Sequence, residues 1–131
     1  SKVKHVFFVD INQTNRNFVE YRAKKLGVEK KLSFCKTIKD TQISKFDTII
    51  CLDDLEHLAD PASQIEIFNE IMDSNSIALL NWYFYKGEKN EYPFHIDDNQ
   101  IVENFFKTIQ SNFLEVFHPI LITVRAYKKI R

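Results

Sequence analysis

Apolar and polar positions along this chain follow two rhythms, one of strands and one of helices. "HVFFVD" (residues 5–10) is a β-branched and aromatic run without polar alternation, the pattern of a strand buried on both faces. In "INQTNRNFVEYRAKKLGVEK", Val19, Ala23 and Leu26 fall at i, i+4 and i+7, and Gly27 follows them. That spacing predicts a helix closed by a glycine cap. "KLSFCK" and "FDTIICLD" read as the second and third strands and "SIALLNWYF" as a fourth. Between the last two, Asp60-Pro61 is a helix start, with Asp60 as N-cap and proline at the first helical position. Ile65, Phe68 and Met72 line one face of that helix. "KGEKNEYPFHID" is a polar connection, after which Val102, Phe105, Phe106 and Ile109 mark a third amphipathic helix. The tail "FLEVFHPILITVRAYKK" reads as two strands broken at His118-Pro119, because proline cannot donate to a central ladder.

Strands alternating with helices in this order predict an α/β fold. The expected architecture is a doubly wound, mostly parallel sheet with an antiparallel C-terminal strand pair. With 131 residues and no repeat, linker or low-complexity segment, the chain is expected to be one domain.

Composition narrows the function classes. Apolar residues make up 44% and charged residues 27%, an ordinary globular balance that argues against disorder. Net charge is zero, which gives no electrostatic case for nucleic acid or a membrane surface. No apolar run approaches the ~20 residues of a membrane span, and the start lacks a signal-peptide pattern. Cys35 and Cys51 both lie in strand-like runs and are expected to be buried free thiols of a reducing cytoplasm.

The candidate chemistry collects at strand ends. Ligands of such sheets bind beyond the carboxyl ends of the strands. Asp10 ends the first strand and Asp53 the third, so both are expected to edge one crevice, where an acid can take the two hydroxyls of a ribose. The plain alternative is that Asp10 only caps the helix that follows.

At these residues the chain resembles a family. "VFFVDIN", "FDTIICLDDLEHLADP", "SIALLNWYF" and the closing "FLEVF…ILITVRAYKK" are similar to class I S-adenosylmethionine-dependent methyltransferases of the small-molecule type. The resemblance implies a Rossmann-like fold, S-adenosylmethionine as cofactor and methyl transfer to a small-molecule acceptor. It implies that Asp10 binds the cofactor ribose, Ile11 packs on the adenine, and Leu52 and Asp53 line the methionine end. Where the family reads the adenine amino group with an acid, this chain has Phe34, Cys35 and Lys36, which leaves Cys35 at the adenine position. The family also opens with a strand and a glycine-rich loop. Here there are only two glycines: Gly27 follows a helix and Gly87 lies in a late loop. Asp10 and Asp47 are 37 positions apart, room for one helix, one strand and a connection, so Asp10 matches the acid of the family's second strand. The expectation is an N-terminally incomplete methyltransferase domain, inactive as this isolated chain. Its sheet would have a gap filled by a complementing N-terminal segment or by a homo-oligomer.

Rival readings stay open. His57 and His95 are candidate catalytic groups, His95 as a base over a pocket lined by "NWYFYKG", of whose four aromatic residues two should face the core. Asp53, Glu56, His57 and His95 could instead hold Mg or Mn, a pattern similar to the metal motif of small-RNA 3′-terminal 2′-O-methyltransferases, with Asp53 where those carry glutamate. Two non-enzymes complete the set: a phosphoacceptor receiver domain with Asp53 as acceptor, and a non-catalytic methyltransferase-like interaction domain.

Overall fold

The computed structural model describes residues 3–117, 120–121 and 123–130. Among the described residues six strands and three α-helices follow one another in the expected order: β1 (Val6–Val9), α1 (Gln13–Lys25), β2 (Leu32–Cys35), β3 (Phe46–Cys51), α2 (Pro61–Ile71), β4 (Met72–Leu80), α3 (Asn99–Asn112), β5 (Phe113–Val116) and β6 (Arg125–Lys129). They divide into two compact units, Ser1–Ser44 and Lys45–Arg131.

In the N-terminal unit β1 and β2 pair in parallel, Val6 opposite Leu32 and Val9 opposite Cys35. Helix α1 begins at Asn12, whose side chain accepts the Thr14 amide, and ends as Gly27 turns left-handed at φ 65°. Ala23 is buried as its spacing predicts, but Leu26 is 68% exposed. Leu26 is the C-cap, where the chain leaves the helical face that Val19 and Ala23 share. The expectation that β1 is buried on both faces also needs correcting, since Val6 and Val9 are exposed.

The C-terminal unit holds a four-stranded sheet of order β3-β4-β6-β5. β3 and β4 are parallel with Cys51 opposite Leu80, and α2 forms the crossover between them. β6 runs antiparallel to both β4 and β5. The described residues therefore form two sheets instead of one, and two of their four strand pairings are parallel. The antiparallel C-terminal pair is as expected, with Phe113 opposite Lys129 and Val116 opposite Ala126. The break at His118-Pro119 lies outside the described residues.

Helix α2 starts as its side-chain chemistry dictates: Asp60 accepts the Ser63 amide at 3.0 Å and Pro61 takes the first turn. Helices α2 and α3 pack on each other, α2 against β4 and α3 against β5. Ile65, Phe68, Met72, Ala78, Leu80, Phe105 and Ile109 are buried between these elements. Met72 does so from the first residue of β4, which begins earlier than the "SIALL" run because Asp73 and Ser76 form a polar kink. There Ser76 Oγ donates to Phe46 O at 2.7 Å and accepts the Asp73 amide at 3.0 Å. β3 is an edge strand of this sheet, so its apolar run is not wholly buried: Ile50 is 65% exposed. Among the described residues no helix is long and apolar enough to cross a membrane.

Candidate functional site

The carboxyl ends of β3 and β4 meet at a reciprocal polar clamp. The Asp53 amide donates to Asn81 Oδ1 at 2.6 Å, and Asn81 Nδ2 donates back to Asp53 Oδ1 at 2.8 Å. Asn81 N donates to Cys51 O, continuing the ladder one residue past the strands. Asp53 adopts φ 53°, a left-handed conformation that aspartate tolerates better than most residues. This turn exposes Leu52 and Asp53 while Cys51 behind them stays buried. Burial pushes the Cys51 thiol up to about 12, helped by the negative charge of Asp54 and Glu56, so it remains a protonated thiol at neutral pH. Cys35 is also buried and free.

After the turn, a short 3-10 helix over Leu55–His57 sends its side chains in opposite directions. Leu55 is fully buried, Glu56 is 2% exposed, and His57 points outward. Among the described residues none donates to the buried Oε2 of Glu56.

The segment after β4 supplies the other wall. Trp82 packs edge-on to Phe105 at 4.9 Å and lies near Tyr127, with Arg125 over its ring, and Phe84 also packs edge-on to Phe105. Tyr83 and Tyr85 turn outward instead and are exposed. Two of the four aromatic residues thus face the core, although β4 ends at Leu80 and the expected strand does not extend through "NWYF". The loop then folds back: Gly87 at φ 85° allows the reversal, and the Tyr92 amide donates to Lys86 O. Ile96 N donates to Glu56 O at 2.7 Å and fastens the returning loop to the 3-10 helix.

This fastening brings His95 against His57, ring centroids 4.8 Å apart at 75°. Tyr92 stacks on His95 at 4.9 Å and 19°, and Tyr83 stands edge-on to both. His57 Nδ1 lies 3.2 Å from Phe94 O, and His95 Nδ1 3.2 Å from Tyr85 O. Glu56, His57 and His95 each place a ligand-capable atom within 4.8 Å of the others. Asp53 is not in this cluster. Of the four residues read as a possible oxygen-rich metal set, three come together here, while Asp53 Oδ1 accepts from Asn81 Nδ2.

The remaining candidates lie in the N-terminal unit. Asp10 accepts the Asn12 amide on Oδ1 at 2.7 Å and the Asn15 side chain on Oδ2 at 2.9 Å, so it orders the entry to α1. Asn12, two residues closer, is the cap itself. Ile11 beside it is 77% exposed, and Cys35 offers its carbonyl to the Asp10 amide while its thiol is buried. A depression of about 630 Å³ beside α3 is lined by Asp60, Gln100, Glu103, Lys107 and their neighbours, and none of the candidate residues borders it.

Sequence reasoning missed Asn81 as the partner of Asp53 and Tyr92 as the ring stacked on His95. A usable signal for Asn81 existed: an amide closing one parallel strand beside an acid closing its neighbour.

No protein-family model and no curated protein matches the chain. Solved structures do. The N-methyltransferase NodS from Bradyrhizobium japonicum WM9, in complex with S-adenosyl-L-homocysteine, superposes with TM-score 0.68 at 11% identity. It covers 98% of this chain, which spans 68% of NodS. The ribosomal protein L11 methylase of Lactobacillus delbrueckii subsp. bulgaricus gives 0.65 at 14% identity, over 98% of this chain and 59% of its own. The [4+2]-cyclase SpnF gives 0.63 at 12% identity, over 86% of this chain and 44% of its own. The chain has the fold of class I S-adenosylmethionine-dependent methyltransferases, and at these identities the likeness is one of fold.

Proposed function

We propose that the chain is the larger part of an S-adenosylmethionine-dependent methyltransferase acting on a small-molecule acceptor in the reducing cytoplasm. Residues 1–131 alone would hold the cofactor too weakly to turn over. The observation that carries the reading is the likeness of fold over 98% of the chain to an N-methyltransferase solved with the demethylated cofactor.

The residues present fit part of that cofactor. Each Asp10 carboxylate oxygen accepts one hydrogen bond and so keeps acceptor capacity for ribose hydroxyls, and the exposed Ile11 offers an apolar surface of the kind adenine packs on. Leu52 and Asp53 stand exposed at the end of β3 for the methionine portion. Cys35 offers the adenine edge no acid and a buried thiol, so it contributes backbone only. Gly27 follows α1 and Gly87 lies in the long connection between β4 and α3, so neither shapes a tight turn from β1 or β3 into a helix for the remaining portion. When bound, the cofactor supplies an electrophilic methyl group on a sulfonium. On the acceptor side, Tyr83, Tyr85 and Tyr92 give exposed ring faces beside His57 and His95, the histidines that act on the acceptor group. The sheet edges are completed in this reading by a strand from an N-terminal segment or a second copy. Exposed apolar side chains such as Val9 and Ile50 favour such pairing.

Calorimetric titration with S-adenosylhomocysteine tests the proposal. Residues 1–131 should bind at millimolar or weaker, on the order of −4 kcal/mol. A form extended before Ser1 by a strand and a glycine-rich turn should bind at micromolar levels and lose at least tenfold on Asp10→Ala. Micromolar binding by residues 1–131 would remove the need for the missing cradle. No binding by a folded extended form would leave a methyltransferase-like domain used for interaction.

A further inference from the structure

We propose that the exposed face of α1, with the basic turn that follows it, binds single-stranded nucleic acid through its phosphates and base faces. The inference goes beyond the methyl-transfer reading and does not rest on it. The surface belongs to the N-terminal unit alone, and its test needs no cofactor.

The zero net charge of the chain conceals an asymmetry. Residues 1–44 contain ten lysines and arginines against four aspartates and glutamates, a charge of +6, and residues 45–131 carry the balancing −6. An imbalance of this kind between parts of one chain is the electrostatic footprint of a polyanionic partner for the basic part.

The cations are placed together. Arg22, Lys24 and Lys25 occupy the last turn of α1, and Lys30 and Lys31 lie in the short 3-10 turn beyond Gly27. The Val28 amide donates to Ala23 O at 3.0 Å, which folds the chain back on the helix end. The acids nearby offset little of this charge. Glu20 is taken by Lys24 at 2.8 Å, and Oε2 of Glu29 is buried. Among the described residues Arg22, Lys25 and Lys30 take part in no salt bridge. Complementing the helix dipole accounts for about half a charge at this end, not for five cations.

The aromatic side chains decide the kind of polyanion. Phe18, Tyr21, Arg22 and Lys25 fall at i, i+3, i+4 and i+7 and are all exposed, Phe18 at 61% and Tyr21 at 54%. Val19 and Ala23 turn inward from the same helix, so the two rings do not serve the core. Lys25 Nζ stands 5.0 Å over the Tyr21 ring, which presents a cation and a ring side by side. Rings among cations hold unpaired bases by stacking while the cations follow the phosphates, whatever the base sequence. A duplex keeps its base faces covered and gives such rings nothing to stack on. A membrane surface calls for a broad apolar face, whereas Gln13, Thr14, Asn15 and Asn17 make the first turns of α1 polar.

Fluorescence anisotropy of residues 1–131 with labelled oligouridylate RNA and oligothymidylate DNA, each about 12 nucleotides long, tests the surface. A dissociation constant on the order of 10 μM is expected at low salt. With about four phosphate contacts, raising salt from about 50 to 200 mM should weaken binding about 50-fold. Binding of either strand supports the proposal, and the tighter one identifies the source. Phe18→Ala and Tyr21→Ala should each weaken binding about fivefold or more and leave the salt dependence intact. Arg22→Ala with Lys25→Ala should cut the salt effect to about sevenfold. Lys89→Ala, in the C-terminal unit, should change nothing. Circular dichroism establishes that each variant is folded, and because the substituted residues are exposed the fold should survive. The proposal is overturned by absence of binding at low salt, by duplex binding as tight as that of the strand, or by unchanged affinity in both aromatic variants. Preference for phosphatidylserine vesicles over the strand, read by co-sedimentation, would overturn it in favour of a membrane.

Discussion

The clamp at the end of β3 makes a prediction whose sign depends on its partner. Asp53 occupies a left-handed conformation, φ 53°, and its carboxylate and amide are both bonded to Asn81. Asp53→Gly therefore has two opposed effects. Glycine relieves the backbone cost, a gain of about 0.5–1 kcal/mol once its greater unfolded-state freedom is counted. The same change removes the bond from Asn81 Nδ2 to the carboxylate, a charge-assisted interaction of about 1.5 kcal/mol at the low end appropriate to an exposed pair. In the native background the loss wins, and Asp53→Gly should destabilise by about 0.5–1 kcal/mol. In an Asn81→Ala background the bond is already gone, and the same substitution should stabilise by about 0.5–1 kcal/mol. Urea unfolding followed by the fluorescence of Trp82, the chain's single tryptophan, measures both. With a slope near ~2 kcal/mol/M, the midpoint should move down by about 0.25–0.5 M in one background and up by as much in the other. If the two shifts share a sign and agree within about 0.3 kcal/mol, the clamp carries no coupling and the reasoning fails.

Two further outcomes follow from burial. Phe105 is fully buried with Trp82, Phe84 and Phe106 around it, so Phe105→Ala should cost about 3–5 kcal/mol and shift Trp82 emission to the red; a cost under about 1 kcal/mol would mean the ring cluster carries little of the unit's stability. Cys51, raised from 9.0 to about 12, keeps its proton in the folded state while the unfolded thiol ionises, so stability should fall as pH rises through 9 to 12. Tyr127, raised from 10.0 to about 12 chiefly by burial, adds a loss of the same sign above pH 10. Cys51→Ala should flatten the decline between pH 9 and 10, measured by thermal melts, and an unaltered slope there would exclude the thiol as its source.

How far the sequence reaches can be judged at particular residues. Element order was legible because each strand is a short apolar run bounded by polar or turn residues, and Asp60-Pro61 announces a helix start through side-chain chemistry alone. Burial was less legible. Leu26 fits the helical spacing yet sits at the cap, and Ile50 belongs to an apolar run that becomes an edge strand, so neither spacing nor run length could reveal their exposure. The insertion of β6 between β4 and β5 was not readable either, since pairing order is decided by contacts far apart in the chain. For the site, the residue types at the end of β3 could be read as candidates, but their partnerships were not given by spacing. Asp53 went to Asn81, while Glu56 and His57 met His95 through the Ile96 fastening.

The division of labour in this fold explains why that last distinction matters for function. A methylase and a [4+2]-cyclase share the fold of this chain at similar scores, so the fold does not choose the reaction. The choice has to be made where side chains face whatever is bound, and in this chain such side chains are concentrated between the end of β3 and the start of α3. Within that stretch Asn81 holds Asp53, and two carbonyls orient His57 and His95. Tyr83 and Tyr92 frame His95 with ring faces. Among the described residues Glu56 Oε2 shares its unmet bonding capacity with Glu29 Oε2 and Asn69 Oδ1, so what sets this stretch apart is the company of the two oriented imidazoles.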